Sequence, residues 1–302
     1  MATLYTHKDS NIRKTYIFLT LFLIFNIFVG FIFSVALDDS FAVYISIFIS
    51  VALSFGGYFW SDKLVLMMNK AREIDRESNK QLYRLVENLC ITAGLPMPKI
   101  YVIDDPAMNA FATGRNPQKA VIALTSGLLN RLEKKELEGV IAHELSHIGN
   151  RDILLSTIVI VMVGYVAIMA DIFRRWSFFG GRRRRSSNDS GQIGAIIMIV
   201  ALVFSILAPV VATVIKLAIS RKREFLADAD AGLMTRYPEG LATALEKISA
   251  DPNPLRTANQ TTAPLFIDDP MKKVKKKSFM TKMFMTHPSV EERVVALRDM
   301  KD

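Results

Sequence analysis

The run His143-Glu144-Leu145-Ser146-His147 places two imidazoles and a carboxylate at the spacing a hydrolytic zinc site requires. Positions four apart on an α-helix lie one above the other, so both rings can aim a nitrogen at one ion. Glu144 falls beside them, poised as a general base that takes a proton from a metal-activated water. The pentapeptide alone is a weak signal. With four His in 302 residues, chance supplies it in roughly one chain in a few hundred. The rest of the chain must supply a further donor and a fold that holds the set together.

A hydrolytic zinc needs a third protein ligand and an open position for water. Outside the motif only His7 and His287 remain, and His7 sits poorly, ahead of the first hydrophobic run. His287 is a candidate. A carboxylate is the other choice, from Glu224-Phe225-Leu226-Ala227-Asp228-Ala229-Asp230. Glu224 and Asp228 lie four apart on an expected helix, so one can bind metal while the other orients a histidine from behind.

The elements that must position these residues are largely hydrophobic. The chain is 51% apolar, and its apolar residues gather in long runs, as in a membrane protein. Thr15 to Leu37 has 23 residues without a charge, enough to cross a bilayer. Phe41 to Trp60 is a second run, Ile153 to Phe173 a third, and Ile193 to Ile219, kinked by Pro209, a fourth. The first run has a signal peptide as its alternative reading, with Ser34-Val35-Ala36 resembling a cleavage site; its length and the run that follows at once favour a membrane helix. The histidine motif closes shortly before the third run and Glu224 follows shortly after the fourth. An antiparallel hairpin of those runs would return Glu224 to His143 and His147 at the membrane surface.

Four segments follow: 1–60 as two N-terminal membrane helices, 61–152 as the first part of a catalytic domain, 153–219 as a hydrophobic hairpin with an Arg-rich loop at 174–192, and 220–302 as the second part of the domain. Within 61–152, a helix is expected over Ile74 to Ala93, stopped by Gly94 and Pro96. Strands are expected at Lys99 to Ile103, Asn109 to Thr113 and Ala120 to Leu124, giving a small mixed sheet. Lys135 to Gly149 is a buried helix carrying the motif, with Leu137, Val140, Ile141, Leu145 and Ile148 as its apolar stripe. Pro238 to Ala250 reads as a helix, and Ser289 with Glu292 has capping-box spacing at the start of a last one. The Lys272 to Lys277 tract reads as a solvated basic loop, or as a segment resting on anionic lipid. The lone Cys90 excludes an intramolecular disulfide and a multi-cysteine zinc cluster, and is expected in the core. The net charge of +9 fits lipid headgroups and cytoplasmic flanks, with no nucleic-acid partner.

Taken together, Asn109-Ala110-Phe111-Ala112-Thr113-Gly114, the histidine motif, Asn150-Arg151-Asp152, Glu224 to Asp228 and Thr286-His287-Pro288-Ser289 make the chain resemble an HtpX-type membrane zinc metallopeptidase, a bacterial group related to the CAAX prenyl proteases. The resemblance covers nearly the whole length. It implies a mainly α membrane protein of about four hydrophobic helices with a zincin-like α+β catalytic domain. It implies one zinc per chain on His143, His147 and Glu224, Asp228 bracing a ligand histidine, and Glu144 as general base. It also places His287, in a catalytic role, and Arg293, as a substrate contact, near the site. Asn109, Ala110, Phe111 and Ala112 become the edge strand along which an extended peptide adds itself, although Asn109 alone reads equally well as a turn former. The implied substrates are misfolded or membrane-associated polypeptides in stress-linked quality control. The competing readings are a prenyl-protein processing protease and a non-catalytic membrane adaptor with a closed structural zinc.

Lys8, Arg13 and Lys14 precede the first run, while Asp38 and Asp39 follow it, so the N-terminus and the catalytic domain are expected on the cytoplasmic face of a bacterial inner membrane. The 13 Lys and Arg between Ser61 and Asp152 agree with this. Arg174, Arg175 and Arg182 to Arg185 oppose it, since simple alternation puts their loop outside. Oligomeric state and substrate preference are not fixed by the sequence.

Overall fold

The computed structural model describes residues 4–37, 40–159, 162, 221–257, 262–271 and 288–300. Two long helices, α1 (Leu4–Leu37) and α2 (Phe41–Met68), open the chain and pack on each other. Within them Asp9–Phe28 and Val43–Met68 are long and apolar enough to cross a membrane, since 20 residues of helix reach about 30 Å. Tyr16, Leu21, Phe28, Tyr44, Phe48 and Phe55 lie exposed on their outer faces. Asn26, buried in the first span, returns its amide to the Phe22 carbonyl at 2.8 Å, a bond that lowers the cost of an amide in an apolar setting.

Four hydrophobic helices were expected, and among the described residues two qualify as spans. The third run is helical over 153–159 and at Met162, and its other residues, the Arg-rich loop and the fourth run lie outside the described residues, as does the Lys272–Lys277 tract. The second helix also runs past Trp60 to Met68, because Leu64, Val65, Leu66 and Met67 keep it apolar. Val65 and Leu66 are buried against Ile103, Phe111, Val121, Ala123 and Phe266 under the sheet, so one helix serves both the membrane and the catalytic core.

The sheet is mixed, with strand order β1-β2-β4-β3, where β1 is Arg72–Glu73, β2 Lys99–Ile103, β3 Ala110–Thr113 and β4 Val121–Thr125. β2 and β4 run parallel, and the two outer pairs are antiparallel. β4, covered on both faces, is buried throughout, as its unbroken apolar run requires. The charged edge strand β1 was not expected. It occupies the chain just ahead of the expected helix start at Ile74, whose N–H donates to Ile100 instead of entering a helix. Asp75 then accepts the Ser78 N–H in a turn, and Asn79 caps the Leu82 N–H, so helix α3 (Lys80–Ala93) begins six residues later than its apolar pattern indicates. Gly94 closes it at φ +65, as expected of a C-terminal glycine.

Behind the sheet, α4 (Ser126–Arg131) leads into α5 (Lys134–Gly149), which packs on α3, on β3, on α6 (Arg221–Thr235) and on α7 (Pro238–Ala250). Val140, Ile141, Leu145 and Ile148 are fully buried there. Gly139 lets α5 touch α7: a Cβ on it would sit 2.7 Å from the Leu241 nitrogen. The last helix, α8 (Val290–Arg298), opens on the reciprocal Ser289–Glu292 capping box and rests on α6 and α7. Cys90 is buried in the same core, and burial pushes its thiol up to about 11, so it is inert.

Candidate metal centre

Helix α5 projects His143 and His147 from one face, with Nε2 atoms 3.2 Å apart. Helix α6 supplies Glu224, whose carboxylate oxygens lie 3.8 Å from His143 Nε2 and 3.7 Å from His147 Nε2. The three donor atoms fall within 4.8 Å of one another. Two ligands each about 2.1 Å from a tetrahedral zinc lie roughly 3.4 Å apart, so the separations fit such an ion. His287 lies outside the described residues.

What stands behind the rings fixes their chemistry. His143 Nδ1 faces Asp228 at 3.0 Å, and His147 Nδ1 faces Asp152 at 3.0 Å. An imidazole donating from Nδ1 to a carboxylate keeps a lone pair on Nε2. Two such lone pairs and the Glu224 carboxylate therefore converge on one point, and a cation is the partner that such a set of acceptors requires. Burial holds the His143 pKa below its usual value. Burial acts on His147 in the same sense, but Glu224, Asp152 and Glu144 outweigh it and lift that imidazole to about 9, a measure of how strongly the carboxylates call for positive charge.

Asp152 was not picked out as a functional residue from the sequence. It lies five residues beyond His147, off the helical period, and reaches back only because Arg151 takes a left-handed conformation at φ 61 after the end of α5. The signal was the Asn150-Arg151-Asp152 run itself, which matched by resemblance but carried no spacing argument.

Arg293 differs from its expectation as a substrate contact. It is 1% exposed, and its guanidinium grips Asp228 through Nε at 2.8 Å and Nη2 at 2.6 Å while Nη1 donates to the Ile267 carbonyl at 3.2 Å. That fork holds it against His143, with Nη2 3.5 Å from both ring nitrogens. Asp228 is correspondingly held below the usual carboxylate range: burial raises it, and Arg293 and His143 more than offset that.

Glu144 sits beside the donors, 2% exposed, and burial pushes its carboxyl up to about 7. The Ala112 backbone N–H opposes that rise by bonding the ionised form. β3 runs along this side of the site. All four of its residues lie in register with β4. The Asn109 carbonyl accepts the Thr125 N–H of β4, so by the alternation of an antiparallel pair the backbone groups of Ala110 and Ala112 turn to the outer edge. Phe111 itself points to the opposite face, edge-on to Phe266 at 5.0 Å. The Ala110 carbonyl already accepts the Ile267 N–H at 3.1 Å, and the Asn109 amide donates to the Asp268 carbonyl at 3.0 Å. Asn109 thus holds backbone, but that of its own chain. The cleft is walled by Ala112, Ile153, Ser156 and the Pro264 to Ile267 segment, and its volume of about 40 Å³ accommodates water beside Glu144.

The sequence pattern of Peptidase family M48 spans residues 76–301, which takes in both donor helices and the brace residues. The chain belongs to this family. It is 44% identical over 300 residues to "Protease HtpX homolog" of Dictyoglomus thermophilum, covering 99% of this chain and 95% of that protein. It is 43% identical over 302 residues to the protein of the same name from Caldanaerobacter subterraneus subsp. tengcongensis, at 99% and 98% coverage. A crystal structure of S. mikatae Ste24p aligns with a TM-score of 0.48 and 22% identity, over 84% of this chain and 57% of that one. As an M48 peptidase with two apolar helices of membrane-spanning length, the chain is a membrane metalloprotease. Among the described residues, His143, His147 and Glu224 form the group placed to hold a metal.

Proposed function

We propose that this M48 chain is a zinc-dependent endopeptidase that cuts misfolded or membrane-associated polypeptides at the bilayer surface, with one zinc held by His143, His147 and Glu224. The observation that carries the reading is the convergence of three acceptor atoms beside a buried carboxyl, under the outward-facing groups of β3. Bound zinc supplies Lewis acidity there, polarising the scissile carbonyl and acidifying water. Glu144 takes the proton of the attacking water and returns it to the leaving amine, a double task that its place beside the donors allows. The Ala112 carbonyl accepts a substrate N–H, so that the peptide extends the edge of β3. Asp228 and Asp152 keep each Nδ1 protonated and each Nε2 free for the metal. Arg293 acts through Asp228, and His287 is assigned to the oxyanion.

The orientation rests on Lys8, Arg13 and Lys14 ahead of α1, which favour a cytoplasmic catalytic domain on a bacterial inner membrane. Polypeptides and lipid are its partners.

The test is Glu144→Gln in purified full-length protein. General-base loss is expected to slow casein cleavage by roughly 10²- to 10⁴-fold while zinc content stays at that of the wild type. Cleavage at the wild-type rate would remove Glu144 from the chemistry.

A further inference from the structure

The metal centre has a tie to the first membrane helix that no anchoring role requires. Asn11 of α1 is 2% exposed, and its side chain is fully engaged by residues far along the chain. Its amide donates to Asp152 Oδ1 at 2.7 Å and to the Asn150 carbonyl at 3.0 Å. Its carbonyl oxygen accepts Arg223 Nη1 at 3.1 Å. Arg223 also approaches Asp152 Oδ1 through Nε at 3.4 Å, and it immediately precedes Glu224. The other oxygen of the same carboxylate, Asp152 Oδ2, is the one that holds His147 Nδ1.

A carboxylate has two oxygens and one plane. With Oδ1 clamped by Asn11 and Arg223, the direction of Oδ2 is fixed, and with it the ring plane of His147. A buried amide is unfavourable unless its groups are bonded, and an apolar residue would pack α1 without that penalty. The amide's partners are the brace of one metal-facing histidine and the neighbour of the metal-facing glutamate, on two separate helices.

We propose that Asn11 is a positioning residue of the metal centre, so that α1 sets the geometry of His147 through the Asp152 carboxylate that it clamps together with Arg223. The membrane helix is then part of the site, and metal affinity depends on its docking. The proposal rests on the zinc reading above.

The full-length chain in detergent, as wild type and as Asn11→Leu, Asn11→Ala, Asp152→Asn, the Asn11→Leu/Asp152→Asn double variant and Asn26→Leu, separates the alternatives. Asn26→Leu is the control for an apolar replacement of a buried amide elsewhere in α1. Three quantities are read: zinc affinity by chelator competition, the visible spectrum of the Co²⁺-loaded protein, and the thermal midpoint of the metal-free protein. Loss of an outer-shell partner is expected to weaken zinc binding 10- to 100-fold. Asn11→Leu and Asn11→Ala should show that weakening and shift the Co²⁺ bands toward those of Asp152→Asn, while Asn26→Leu keeps the wild-type spectrum. The double variant should bind zinc no more weakly than Asp152→Asn, because both changes act through one carboxylate. Wild-type affinity and spectrum in both Asn11 variants would overturn the proposal, as would additive losses or losses that only follow the metal-free midpoint. Zinc uptake by the wild type confines such a failure to Asn11; a wild type that takes up no zinc overturns the metal centre as well.

Discussion

At the scale of single residues, the centre is a set of buried charges each held by a specific partner. Arg293, Asp228 and His143 form one such line, from a guanidinium fork through a carboxylate to Nδ1. Removing one member of a buried pair leaves its partner uncompensated, which commonly destabilises by about 3–5 kcal/mol. Arg293→Ala should therefore lower unfolding free energy by that order, measured by denaturant titration. Arg293→Lys should recover only part of it, since an ammonium cannot make the two-point contact. A second ion pair, buried on its Asp251 side only, lies away from the metal. Asp251 accepts Arg131 at 2.6 Å and the Met108 N–H at 2.8 Å, and these bonds outweigh burial to hold its carboxyl below the usual value. A depressed pKa stabilises the fold above the unfolded-state value of about 3.9 and loses that contribution as pH falls through the folded-state value. Unfolding curves between pH 7 and pH 2 should show Asp251→Asn less stable than wild type by about 1–3 kcal/mol at neutral pH. The gap should narrow in acid.

At the scale of elements, α5 and β4 were readable from sequence because their patterns are unmistakable, a broad apolar stripe in one and an unbroken apolar run in the other. The start of α3 was not. Ile74 continues the apolar spacing of that helix, yet its N–H goes to the sheet, and the Asp75 turn that separates the two is a local hydrogen-bond choice with no periodicity. β1, a charged pair of residues, carries no strand pattern at all. In the site, the placing of His143, Glu144 and His147 together follows from helix geometry, whereas spacing put Glu224 and Asp228 on one face without saying which meets the metal, a choice that came from the resemblance alone. The Asp152 brace was not legible, since a left-handed residue breaks the register. Arg293 was singled out as a residue near the site, but its pairing with Asp228 was not foreseen, because spacing along a chain does not say which carboxylate a guanidinium meets. Contact between α5 and α7 depends on Gly139, where even a methyl group meets the Leu241 backbone. Gly139→Ala should lower stability by roughly 1–3 kcal/mol, as overpacking does. A thermal midpoint equal to wild type would show that the helices part without loss.

At the scale of the whole molecule, the membrane helices and the catalytic domain are one structure. The end of α2 is packed beneath the sheet through Val65 and Leu66, and the start of α1 reaches the brace of His147 through Asn11. The donors come from helices separated in sequence by a hydrophobic stretch, so the folded state creates the metal site and metal binding in turn stabilises the folded state. With free zinc near one hundred times its dissociation constant, the linkage is worth about 2.7 kcal/mol. Chelation should lower the thermal midpoint of the wild type and barely move that of a His143→Ala, His147→Ala double variant. The most direct measurement is zinc K-edge X-ray absorption on the purified full-length chain, with metal content determined on the same sample. One zinc per chain is expected, with nitrogen and oxygen ligands at about 2.0–2.2 Å and a two-imidazole signature that is lost in the double variant. A sulfur ligand, or unchanged stoichiometry and spectrum once both histidines are gone, would contradict the centre at His143, His147 and Glu224.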